Sequence, residues 1–171
     1  MATLTGENGI ITQSRRAAAA STEAKVKENM LAAFNSVLMG VQMDRAGNEA
    51  YDAEVEFGKS QTHYIDMIKN QIGSSSTNVI SAVQSSELVN TSETLVSGKY
   101  NVYALKANSG DTAPSKICIT YKDATFSQAI DTAADNIPTK QNQYPILTMT
   151  ITFDANTVTS EGPTTHAISG N

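Results

Sequence analysis

Two histidines, one cysteine and a run of carboxylates are the groups through which this chain would most readily do chemistry. A serine triad needs a nucleophile, a histidine base and a carboxylate that orients the base, and only His63 and His166 can supply the base. His166 falls between Gly162-Pro163 and Gly170, where little fixes its geometry. His63 has Asp66 three residues on, a spacing that makes a surface pair on a helix. Cys118 lies between Ile117 and Ile119 and reads as a small buried hydrophobe, not as a nucleophile paired with His63. A lone cysteine also excludes an internal disulfide and a multi-cysteine zinc site.

Glu49, Asp52, Glu54 and Glu56 crowd one segment, and at helical spacing Glu49, Asp52 and Glu56 share a face. A helical di-iron site pairs a glutamate with a histidine three residues later, and no Glu-x-x-His occurs here. The acidic segment therefore reads as a solvated face. Neither a Gly-x4-Gly-Lys phosphate loop nor a Gly-x-Gly-x-x-Gly turn is present, so no nucleotide cradle is expected. No catalytic residue, metal or cofactor is predicted.

Charge narrows the partners. Twelve Lys+Arg stand against 17 Asp+Glu, for a net charge of -5. The cations are dispersed except at Arg15-Arg16 and Lys25/Lys27, where Glu23 and Glu28 interleave, so no nucleic-acid partner is expected. Charged residues make up 17% of the chain, below the roughly 25% of ordinary soluble domains. By contrast, 58 of the 171 residues are Thr, Ser, Asn or Gln. Such neutral polarity tolerates burial against copies of the same chain. The longest nearly uncharged stretch, Asn29 to Met43, is broken by Asn35, Ser36, Gly40 and Gln42, so no membrane span is expected. Arg15-Arg16 is followed by Ala17–Ala20 without an apolar core segment, and no secretory signal is expected there.

The elements that must carry these groups divide at the prolines. All four lie after residue 113, which leaves the first two thirds free to be helical. Residues 1–21 lack an apolar period and are predicted to be an extended arm, with Ser21 or Thr22 capping the first helix. From there Val26, Met30, Ala33/Phe34, Val37/Leu38 and Val41 recur in steps of three and four, the mark of an amphipathic helix. Gly47-Asn48 predicts a break. Tyr51, Val55, Gly58, Thr62, Ile65 and Ile72 then predict a second helical run, antiparallel to the first or continuing it through a kink. Gly73 to Ser76 reads as a linker, followed by a third, weaker helix through Val79, Ile80, Val83 and Leu88.

After Gly98 the period changes to two. Tyr100 to Leu105 and Ile117 to Tyr121 predict a hairpin across the Asn108-Ser109-Gly110-Asp111 turn. Leu147, Met149, Ile151 and Phe153 alternate strictly with Thr148, Thr150 and Thr152, which predicts a strand with one apolar and one threonine face. A short helix is expected over Thr125–Ala134, and residues 155–171 read as a tail.

The predicted architecture is α+β: two or three N-terminal amphipathic helices over residues 22–97, a small antiparallel sheet over 98–154, and extended arms at 1–21 and 155–171. With no catalytic constellation, a low-charge surface and amphipathic helices, the expected function is a non-enzymatic structural subunit. It would assemble with copies of itself, and with other structural proteins, into a larger particle or filament, foremost a virus or bacteriophage virion. Its contact residues, whether within the chain or between copies, are expected to be Val26, Met30, Phe34, Val37, Val41, Tyr51, Val55, Ile65, Ile72, Leu147, Met149, Ile151 and Phe153. A long N-terminal helix before a Thr-rich antiparallel sheet is also similar in outline to pilin-like subunits, although that family's strongly apolar N-terminal helix is missing. That resemblance implies the alternative, a secreted appendage or adhesion subunit outside the cell.

Overall fold

A computed structural model describes residues 2–84, 95–123 and 145–167. Three α-helices come first, α1 (Ala2–Ala46), α2 (Ala53–Lys59) and α3 (Gln61–Ile72). Five strands follow, β1 (Thr77–Gln84), β2 (Tyr100–Lys106), β3 (Lys116–Lys122), β4 (Pro145–Phe153) and β5 (Val158–Ala167). The fold is α+β, and the strands lie in the sheet in chain order.

Residues 2–21, predicted as an extended arm, instead belong to α1. The missing apolar period removes a packing drive but not helix propensity. Ala17–Ala20, Arg15, Arg16 and Gln13 are good helix formers, and extending an existing helix is far easier than nucleating a new one. At 1.5 Å per residue the 45-residue helix is about 67 Å long. It stops at the predicted break, where the Gly47 amide still donates to Met43 O.

Asp52 then caps α2, its carboxylate accepting from the Glu54 and Val55 amides, both at 3.1 Å. α3 runs antiparallel to α1: Asp44, Gly40 and Ser36 meet Tyr64, Met67 and Gln71 in turn. At Gly40 an added Cβ would sit 2.5 Å from Met67 Cε, so the glycine makes room for the end of that flexible side chain. Gly73, at φ 111°, ends α3 in a conformation that side chains disfavour.

The predicted third helix is strand β1, paired parallel to β2. Val79, Ile80 and Val83 fit three-four spacing, but they are β-branched, and Thr, Asn and Ser around them disfavour helix. The parallel pair makes the sheet mixed, not wholly antiparallel as predicted; β2 to β5 pair antiparallel. Residues 158–167 of the predicted tail form the edge strand β5. Of its described side chains Val158 packs against the core, and the Thr, Ser, Glu and Gly around it leave no apolar period to read. Its register shifts opposite Thr148 to Thr150, where Gly162-Pro163 interrupts the ladder as a proline must. The helix predicted at Thr125–Ala134 and the Leu88 end of the third helix lie outside the described residues.

One sheet face packs under the helices. Tyr100, Val102, Ala104, Ile117, Ile119, Leu147, Met149, Ile151 and Phe153 meet Val26, Met30, Phe34, Val37, Val41, Phe57, Tyr64, Ile65 and Ile68 in a single core. Phe57 stacks on Phe153 at 4.2 Å between ring centres. On the opposite face Tyr103, Leu105 and Cys118 form a smaller buried cluster. Buried Asn101 anchors the turn into β2, accepting from Val96 N at 2.9 Å and Asn78 Nδ2 at 3.0 Å. Its amide nitrogen donates to the carbonyls of Val96, Lys99 and Thr120.

Candidate functional site

Two features stand out: a polar cleft at the α1–α2–α3 corner and a line of exposed apolar residues along α1 that ends there. The cleft, about 540 Å³ and open, is lined by Met43, Asp44, Gly47, Asn48, Tyr51, Glu56, Ser60, His63 and Tyr64. Antiparallel packing brings Asp44, near the end of α1, to the start of α3. There the Tyr64 hydroxyl donates to Asp44 Oδ2 at 2.9 Å. That spends the Tyr64 proton, so the Tyr51 hydroxyl, 2.6 Å away, donates to Tyr64. Burial drives the Tyr64 phenol far above its ordinary range, and hydrogen bonds to Tyr51 and Asp44 add to the shift. Both phenols therefore keep their protons near neutrality.

His63 Nε2 lies 3.8 Å from Asp44 Oδ2, and both side chains are nearly half exposed. The sequence paired His63 with Asp66; the tertiary partner is on α1 instead. Ser60 lines the same cleft, but its backbone carbonyl is already bonded to the His63 amide. No bond from the Ser60 hydroxyl to the imidazole occurs. Cys118 is on the far face of the sheet from His63, its Sγ 3.3 Å from Thr150 Oγ1. Burial raises its thiol to about 11, despite the opposing hydrogen bond from Thr150. It is unreactive at neutral pH.

The acidic segment does not form one face. Asp52 is spent on the α2 cap, Glu56 pairs with Lys59 at 3.3 Å, and Glu49 lies in the loop before α2. Among the described residues no group of three or more His, Cys, Asp or Glu side chains is placed to hold a metal ion.

Of the predicted contact residues, Val26, Met30, Phe34, Val37, Val41, Ile65, Leu147, Met149, Ile151 and Phe153 lie inside the chain's own core. Tyr51 and Ile72 pack against it half-buried. Val55 does not join it, being 46% exposed on the outer side of α2. The residues that sequence reasoning missed are Leu31, Met39 and Met43 on α1, which are 43%, 62% and 72% exposed. With Asn35 they follow one another in steps of four, the repeat that forms a continuous ridge on a helix surface. The signal was present: they are the large apolar residues left on this stretch of α1 once the buried stripe is removed.

No protein-family model matches the chain, and searches of the curated proteins and of solved structures find no match. Among the described residues no helix is long and apolar enough to cross a membrane.

Proposed function

We propose that the chain is a non-enzymatic structural subunit that assembles with copies of itself into a larger particle or filament, of the kind from which a virion or bacteriophage tail is built. The observation that carries this reading is the Leu31–Met39–Met43 ridge on the outer side of a helix whose inner side is already committed to the core. Scattered single apolar residues on a surface need no explanation, whereas an apolar ridge along one element marks a contact surface. The length of α1 supports the same reading. Among the side chains described on it, the first buried one is Val26, and the helix extends 24 residues before that point, about 36 Å. The longest strand, ten residues, spans only about 33 Å. A helix of 45 residues outruns any described strand of the sheet, and a neighbouring copy would offer the excess length a packing partner.

Light scattering coupled to size-exclusion chromatography tests the proposal. The expected mass rises with loading concentration to multiples of 18.2 kDa. A monomer at every concentration, unchanged by removal of residues 1–20, contradicts it.

A second reading, a secreted pilin-like appendage subunit, is favoured by one observation: a long N-terminal helix whose C-terminal half lies on a largely antiparallel sheet. A hydrophobic leader encoded upstream in the gene would favour it over the first.

A further inference from the structure

We propose that two copies of this chain pair through the outer side of α1, their helices antiparallel about a two-fold axis level with Val37. This rests on the self-assembly reading and names its first contact. Whatever covers the Leu31–Met39–Met43 line must be apolar along its middle and must answer the charges at its ends. A second copy of the same face, turned end for end, does both.

The exposed side chains on that side of α1 run from Lys25 and Glu28 through Leu31, Asn35, Met39 and Met43 to Arg45, and the loop beyond carries exposed Glu49. Along the chain the order is positive, negative, apolar, positive, negative. Reversing one copy sets each charge against its opposite. With the axis at Val37, Leu31 comes level with the partner's Met43 and Asn35 with the partner's Met39. Lys25 comes level with the partner's Glu49 and, to within one residue, Glu28 with the partner's Arg45.

These charges select both the sense and the register. A parallel pair in register sets Glu28 against Glu28 and Arg45 against Arg45. Sliding the antiparallel pair by one turn sets Lys25 against Arg45 in one direction and Glu28 against Glu49 in the other. Of these arrangements, the one centred on Val37 opposes unlike charges at both ends. The apolar middle supplies affinity, and the rim charges suppress the wrong registers.

The same patch serves both copies, so the contact closes as a pair. Residues 2–24 of the two α1 helices then extend past it in opposite directions, and growth beyond the pair falls to other surfaces.

Charge reversal in the full chain, read by sedimentation at low ionic strength, tests the contact. Glu28→Arg alone and Arg45→Glu alone each set like charges together at two symmetry-related places, and each is expected to weaken self-association about tenfold. Glu28→Arg with Arg45→Glu exchanges the partners and is expected to return to within about threefold of wild type. Lys25→Glu and Glu49→Lys, singly and together, read the same register without altering Arg45, which also packs 5.8 Å from the centre of its own Tyr51 ring. All four positions are exposed, so the fold is expected to survive every change. Single variants that associate as the wild type does, or double variants as weak as the two single changes combined, overturn this contact and leave self-assembly standing. A wild-type chain that sediments as a monomer at all concentrations overturns both.

Discussion

The hydroxyl of Tyr64 on α3 donates to the carboxylate of Asp44 on α1 at 2.9 Å, which pins the end of the long helix over the aromatic cluster of Phe57, Tyr64 and Phe153. The bond joins elements 20 residues apart and sets the α1–α3 angle at the corner where the ridge ends. Tyr64→Phe removes the donor to Asp44 and the acceptor for Tyr51 while keeping the ring. The expected cost is about 1–2 kcal/mol in urea unfolding, since Asp44 is exposed enough to recover water. A change within error shows that the aromatic packing alone holds the corner.

Stability is expected to fall in alkali. Burial raises Tyr51, Tyr64, Tyr100, Tyr103 and Tyr121 above 10.0, and Cys118 from 9.0 to about 11. Each group stays protonated in the folded chain after the unfolded chain has lost its proton, so above these ordinary values the folded state binds more protons and raising pH favours unfolding. The contribution is complete below pH 9 and is lost progressively above pH 9–10. A melting temperature that is flat from pH 8 to 11 contradicts this, and the slope should be shallower in Tyr64→Phe.

Two buried polar residues of the sheet should respond oppositely. Asn101 satisfies Val96 N and three carbonyls, and Asn101→Leu leaves those groups unpaired, at an expected cost of about 2–4 kcal/mol. Thr120 Oγ1 is buried with no hydrogen-bond partner. Thr120→Val keeps the shape and removes the desolvated hydroxyl, so it is expected to be neutral or stabilising by up to about 1 kcal/mol. Denaturant midpoints of the two variants check the pair.

What the sequence made legible was local periodicity where one face is buried. The α1 stripe from Val26 to Val41, the hairpin from Tyr100 to Tyr121 and the Leu147–Phe153 strand all carry that imprint. Elements stabilised by other means were missed. The first turns of α1 rest on propensity and extension, β1 takes its state from the backbone of β2, and β5 is an edge held by β4. The His63 partner was missed for a related reason: Asp66 is close in sequence, but Asp44 is delivered by the α1–α3 crossing, which no local spacing encodes. The Met39–Met43 ridge was hidden in plain view beside the stripe that folding buries.

His63 is expected to be dispensable. The imidazole is nearly half exposed beside a carboxylate that already accepts from Tyr64. His63→Ala should leave sedimentation at neutral pH unchanged and alter stability by no more than about 0.5 kcal/mol. Loss of assembly in this variant would move the functional centre from the ridge to the cleft.

The central claim is that the outer side of α1 is a contact between copies and not a bare surface. Sedimentation velocity on the wild-type chain and on the double variant Met39→Glu with Met43→Glu, at matched concentrations, tests it most directly. Both side chains are more than half exposed, so the variant should unfold at the wild-type denaturant midpoint. The account predicts concentration-dependent oligomers for the wild type and a folded 18.2 kDa monomer for the variant. Identical sedimentation of the two chains, whether both assemble or both remain single, would contradict it.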